Sequence, residues 1–69
     1  MKNEIIFVIE DSLDGGYEAR ALGYSIFTEG DTLEELKKNI VESVNCHFDA
    51  DEKPPIIRLH YIKEETITA

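Results

Sequence analysis

Between Glu4 and Glu10 the chain reads EIIFVIE, five consecutive apolar residues closed at each end by a carboxylate. Side chains alternate along a strand, so Ile5, Phe7 and Ile9 would face one side of a sheet and Ile6 and Val8 the other. Five residues are too few for a buried helix, and the β-branched content favours a strand. A strand apolar on both faces needs neighbours on its two edges and cover above and below. The rest of the chain has to supply them.

Asp14-Gly15-Gly16 follows this strand and offers the positive backbone φ angles that tight hairpins demand. Tyr17 to Leu22 then alternates Tyr17, Ala19 and Ala21 against Glu18 and Arg20, the pattern of a strand with one wetter face. Gly23 turns the chain again, and Tyr24 to Thr28 reads as a short third strand closed by Glu29-Gly30-Asp31. Thr32-Leu33-Glu34-Glu35 is a capping box. The Thr32 hydroxyl is placed to accept from the Glu35 N–H, and the Glu35 carboxylate to accept from the Thr32 N–H. Leu33, Leu36, Ile40, Val44 and Phe48 recur at helical spacing and form one apolar stripe. Pro54-Pro55 ends any helix, and Ile56 to Ile62 resumes a strand, with Ile57, Leu59 and Tyr61 opposite Ile56 and Ile62.

The predicted order is β-β-β-α-β, an α+β fold. A right-handed crossover through the helix lays strand 4 parallel to strand 1, so the predicted sheet is four-stranded and mixed, in the order 3-2-1-4. The helix covers one face. All 69 residues form a single domain, residues 1 to 69, and the segment from Lys63 to Ala69 is an acidic tail. A chain this short lies near the size limit for a stable monomer, and its second sheet face carries Ile6 and Val8. A homo-oligomer joined through the face away from the helix is therefore expected.

Seven Lys and Arg against fifteen Asp and Glu give a formal charge of −8, which disfavours direct binding of nucleic acid and favours a basic partner. No apolar run is long enough to span a membrane, and no signal peptide opens the chain. The single cysteine cannot form an intrachain disulfide, so a cytoplasmic location is expected.

Residues capable of chemistry are sparse. Cys46, His47 and His60 are the only soft or imidazole ligands, fewer than a structural zinc site needs, and no metal or other cofactor is expected. Cys46 is expected to pack as a small side chain, and His47 to sit as a cation near the helix C-terminus. Ser12, Ser25, Ser43 and Cys46 lack any surrounding nucleophile motif, and no glycine-rich phosphate loop is present. Glu10 and Asp11 would need Asp49 or Asp51 beside them to hold a divalent cation for nuclease work. Solvation is the expected role of these acids, and no enzymatic activity is predicted.

Asp14-Gly15-Gly16-Tyr17-Glu18-Ala19, then Gly23-Tyr24, then Gly30-Asp31-Thr32-Leu33-Glu34-Glu35-Leu36 resemble the HicB-like antitoxin superfamily, over residues 4 to 62. The resemblance implies a pared-down ribonuclease H fold and a role in masking small, basic, RNA-cleaving toxins of the HicA type. The chain reads Leu22-Gly23-Tyr24-Ser25 where many members have Leu-Pro-Gly-Cys. Strand 1 has no interior carboxylate to match the active-site aspartate of ribonuclease H enzymes. The DNA-binding segment common in such antitoxins does not follow strand 4, so transcriptional autoregulation is not expected.

Charge and resemblance together predict a non-catalytic protein-binding module that sequesters a small basic toxin. Glu10, Asp11, Asp14 and Glu18 would steer the partner, and Tyr17, Tyr24 and Phe27 would anchor it. The alternative is a homo-oligomeric structural or accessory domain without a toxin partner.

Overall fold

A computed structural model describes residues 3 to 69. Its elements are β1 (Glu4–Asp11), β2 (Tyr17–Ala21), β3 (Phe27–Gly30), α1 (Leu33–His47) and β4 (Ile56–Tyr61). The sheet order is β3-β2-β1-β4, with β1 antiparallel to β2, β2 antiparallel to β3, and β1 parallel to β4. Fold class, element order and strand directions are those read from the sequence.

The apolar run of β1 becomes the axis of the core. Ile5, Phe7 and Ile9 are fully buried beneath Leu36, Ile40 and Val44 of α1, with Ala19 and Ala21 of β2 beside them. Leu33 and Phe48 close the two ends of the helical stripe as partly buried residues. Thr32 caps the helix, its hydroxyl accepting from the Glu35 N–H at 3.1 Å, whereas the reciprocal bond to the Glu35 carboxylate is not made. At the other end the Phe48 N–H donates to the Val44 carbonyl, and the Phe48, His47 and Tyr24 rings pack edge to face.

Two details depart from expectation. The sequence pattern places the third strand at Tyr24 to Thr28, but it runs from Phe27 to Gly30. The Ala21 N–H donates to the Ile26 carbonyl at 3.0 Å, closing a wider loop over residues 22 to 25 that uses up Tyr24 and Ser25. The parity survives, because Ile26 still points into the core. Cys46, expected to be packed, is exposed at the solvent side of the helix, since the buried stripe runs through Leu36, Ile40 and Val44 and leaves position 46 outside it.

The helix packs against β3 and β2 rather than over the middle of the sheet. Asn39 of α1 donates its side-chain amide to the Glu29 carbonyl at 2.8 Å, so the β3 edge has a helix against it. On β4 the helix-side residues Ile57 and Leu59 are only half-buried, and Tyr61 is 51% exposed. On the opposite face Val8 is buried and Ile6 half-buried within the single chain. The register sets Val8 between Arg20 and His60 and places Arg58 beside Ile6. Long side chains of the neighbouring strands thus shelter much of the surface that was expected to require a second subunit.

Candidate interaction site at the acidic end of the sheet

The antiparallel hairpin between β1 and β2 gathers the acidic residues at one end of the sheet. Glu10 stands directly opposite Glu18, and Glu18 directly opposite Glu29, so three adjacent strands carry a row of carboxylates. All three project from the face away from the helix, because residues of the other parity form the core. The next row along that face runs Phe27, Arg20, Val8 and His60, and Phe27 is 60% exposed at its edge.

Just beyond the row, Asp11 pairs with Tyr17 in the last rung of the hairpin. The connecting turn is tied by the Ser12 N–H to the Gly16 carbonyl and by the Asp14 N–H to the Ser12 hydroxyl. Gly16 has φ +79, and a Cβ there would lie 2.7 Å from the Gly30 carbonyl oxygen. Gly30 in turn leaves room for the helix, since a Cβ on it would lie 2.6 Å from the Leu36 nitrogen. The Gly-Gly-Tyr and Gly-Asp-Thr-Leu-Glu-Glu segments therefore meet in space, each glycine permitting a close backbone approach. Their meeting brings Asp14 and Asp31 to the rim of a single shallow depression that Tyr17, Glu29 and Glu35 also line. Ile62 and Glu64 lie beside Glu10, Asp11 and Glu18 on the far side of the same hairpin.

Of the residues singled out from the sequence, Glu10, Asp11, Asp14, Tyr17 and Glu18 come together at this end, and Phe27 stands one row away. Tyr17 also packs on the core. Tyr24 is not brought to them. It lies at the opposite end of the sheet, half-buried against His47 and Phe48, and its ring serves packing. Glu29 is not among the expected residues, because Glu29-Gly30-Asp31 has the composition of a turn; with β3 at Phe27–Gly30, alternation with Phe27 identifies it.

The remaining polar candidates do not converge on a reaction centre. His60 lies on β4 in the row with Val8, whereas Cys46 and His47 lie on the helix across the sheet. The loop carrying Asp49 and Asp51 leads into Ile56, which pairs with Glu4 at the start of β1, while Glu10 and Asp11 lie at its end. Among the described residues no group of three or more His, Cys, Asp or Glu side chains is placed to hold a metal ion, and no helix is long and apolar enough to cross a membrane.

Fold and site together define a small β-β-β-α-β domain with an acidic hairpin end and one helix-free sheet face. The chain belongs to the UPF0150 family. It is 44% identical over 66 residues to a UPF0150 protein of Thermotoga maritima, covering 96% of this chain and 93% of that one. It is 50% identical over 52 residues to a UPF0150 protein of Archaeoglobus fulgidus, covering 75% and 77% of the two chains. No family model matches the chain, and no solved structure matches it.

Proposed function

We propose that this chain is a non-catalytic binding module that sequesters a small basic protein at the acidic end of its open sheet face, in the manner of a HicB-like antitoxin masking an RNA-cleaving toxin. The observation that carries this reading is the cross-strand row Glu10, Glu18, Glu29 beside the exposed ring of Phe27. Like charges directly opposite one another on adjacent strands cost about 0.2 to 1 kcal/mol per pair. Lysine or arginine side chains of a partner laid across the row would replace that repulsion by attraction. The −8 charge of the chain steers such a partner from a distance, and Phe27 offers an apolar anchor next to the row. The Gly-Gly-Tyr and Gly-Asp-Thr-Leu-Glu-Glu resemblance supports RNA cleavage as the partner's activity.

The test is capture from source cells at low and high salt, with the native chain and with Glu10→Lys/Glu18→Lys/Glu29→Lys as baits, followed by assay of the recovered chain on RNA. The expected result is one small basic protein that the native bait holds at low salt and the triple variant does not. Alone it cleaves RNA, and the native chain suppresses the cleavage. Recovery of no such protein, or equal recovery by both baits, overturns the proposal.

The alternative, a homo-oligomeric accessory domain, is favoured by a separate observation on the other side of the sheet: β4 and the segment after it are left without cover.

A further inference from the structure

The two edges of the sheet are treated differently. β3 has four residues, carries Glu29, and has α1 packed against it, with Asn39 bonded to the Glu29 carbonyl. β4 has six residues, Ile56–Tyr61, and among the described residues neither proline, bulge nor helix protects its outer side. Edges of this kind template the addition of another strand. The backbone phase shows which groups are free. The Ile62 N–H donates to the Ile9 carbonyl at 2.9 Å, so the even-numbered residues of this segment face β1. The N–H and C=O groups of Ile57, Leu59 and Tyr61 consequently point outward, where no strand lies among the described residues. Beyond β4, residues 62 to 69 have no assigned secondary structure and are exposed throughout, with Ile67 at 87%.

Charge along this stretch is divided in two. Residues 56 to 63 contain Arg58, His60 and Lys63 and no acid; residues 64 to 69 contain Glu64 and Glu65 and no base. A segment that is basic and then acidic is complementary to a second copy of itself when the two run antiparallel. Run parallel, it sets like charge on like.

We infer that two copies of this chain pair antiparallel along β4, with Tyr61 on the two-fold axis, the tail of each copy lying on the β4 edge of the other. The outward phase of Tyr61 makes it a hydrogen-bonded pair with its symmetry mate, followed by Leu59 with residue 63 and Ile57 with residue 65. Between these rungs lie the non-hydrogen-bonded pairs, where side chains approach more closely, and one of them sets Arg58, which pairs with Glu4 within its own chain, opposite residue 64 of the other copy as a second carboxylate partner. Two-fold symmetry makes that ion pair twice. The result is a continuous eight-stranded sheet in which the exposed tail gains a partner. Glu18, Glu29 and Phe27 lie on β2 and β3, away from the β4 edge, and Glu10 projects from the open face of β1, so this pairing uses an edge and the proposed capture of a basic protein uses a face.

The experiment is sedimentation equilibrium at 150 mM salt on three forms of the full chain. The native chain is expected to be a dimer at micromolar concentration. Tyr61→Pro removes one outward N–H and none that β4 donates to β1, so it is expected to keep the native circular dichroism and sediment as a monomer. Glu64→Lys is expected to weaken the dimer about two- to thirty-fold. In a Cys46→Ser background, Tyr61→Cys is expected to form an interchain disulfide under mild oxidation, since hydrogen-bonded antiparallel pairs have Cα atoms about 5.5 Å apart, within disulfide range. Val41→Cys, exposed on the helix, is the control expected not to do so. A native monomer at ~100 μM overturns the inference. So does a dimer that persists in Tyr61→Pro without the 61–61 disulfide, the result expected of pairing through the open face. If Tyr61→Pro fails to fold, the presence or absence of that disulfide decides.

Discussion

At the scale of single residues, the absent side chain of Gly30 and the hydroxyl of Thr32 set how closely the helix meets the sheet and where it starts. Gly30 lies where helix and sheet come within bonding distance, and a methyl group there would meet the Leu36 backbone at 2.6 and 2.9 Å. Because neither atom belongs to a flexible side chain, Gly30→Ala is expected to cost about 1–3 kcal/mol as overpacking. That corresponds to a fall of roughly 5–20 °C in Tm for a domain of this size, read from thermal unfolding. Gly15 has nothing within 4 Å of its would-be Cβ but holds φ +92, so Gly15→Ala is expected to cost about 1–2 kcal/mol as left-handed backbone strain, with no overpacking. Thr32 acts through one hydrogen bond to the Glu35 N–H. Thr32→Ala is expected to cost about 1 kcal/mol and Thr32→Ser almost nothing. Equal unfolding midpoints for the two variants would show that the hydroxyl is not what starts the helix.

At the scale of elements, β1, β2 and the start of α1 were legible because each carries a local signal: an apolar run, a clean alternation, a capping residue. β3 was legible in parity but not in extent. Its placement depends on the Ala21 to Ile26 bond across the sheet, which no local pattern encodes. The shift matters, since it turns Glu29 from a turn residue into the third carboxylate of the cross-strand row. Glu18, in the middle, faces two like charges. Glu18→Gln removes both repulsions while keeping the shape of the side chain, and is expected to stabilise the isolated domain by about 0.4–2 kcal/mol in low-salt denaturation. The same substitution should weaken capture of a basic partner. A less stable Glu18→Gln variant would mean that the row is not repulsive, removing the reason to assign it a cationic partner.

At the scale of the whole molecule, the extents of 52 × 23 × 18 Å describe a narrow body prolonged by its tail. Its charge of −8 governs how it meets other molecules. Two copies with centres about 25 Å apart repel by roughly 10 kcal/mol as point charges in salt-free water. At ~0.15 M ionic strength, where the Debye length is about 8 Å, screening reduces this to about 0.5. The Arg58 to Glu64 pairs, with Arg58 already paired to Glu4 in its own chain, contribute less than ~1 kcal/mol each and lie too close together to be screened as strongly. Self-association is therefore expected to strengthen between 10 and 150 mM salt, whereas capture of a basic partner weakens over the same range. Sedimentation and binding titrations across that salt series read both. A dimer most stable at the lowest salt would contradict the balance drawn between global repulsion and local pairing.

The sequence by itself determined the element order, the sheet order, the faces taken by the side chains of β1, β2 and β4, and the sign of the surface charge. Each follows from periodicity, turn chemistry and the handedness of a crossover, all of them local or nearly so. Only the tertiary structure decided what depends on distance across the chain. It aligned the three glutamates, assigned Tyr24 to packing at the opposite end, and sheltered much of Ile6 and Val8 with side chains from neighbouring strands. By setting α1 over β3 and β2, it also left β4 as the unguarded edge, because one narrow helix cannot cover four strands.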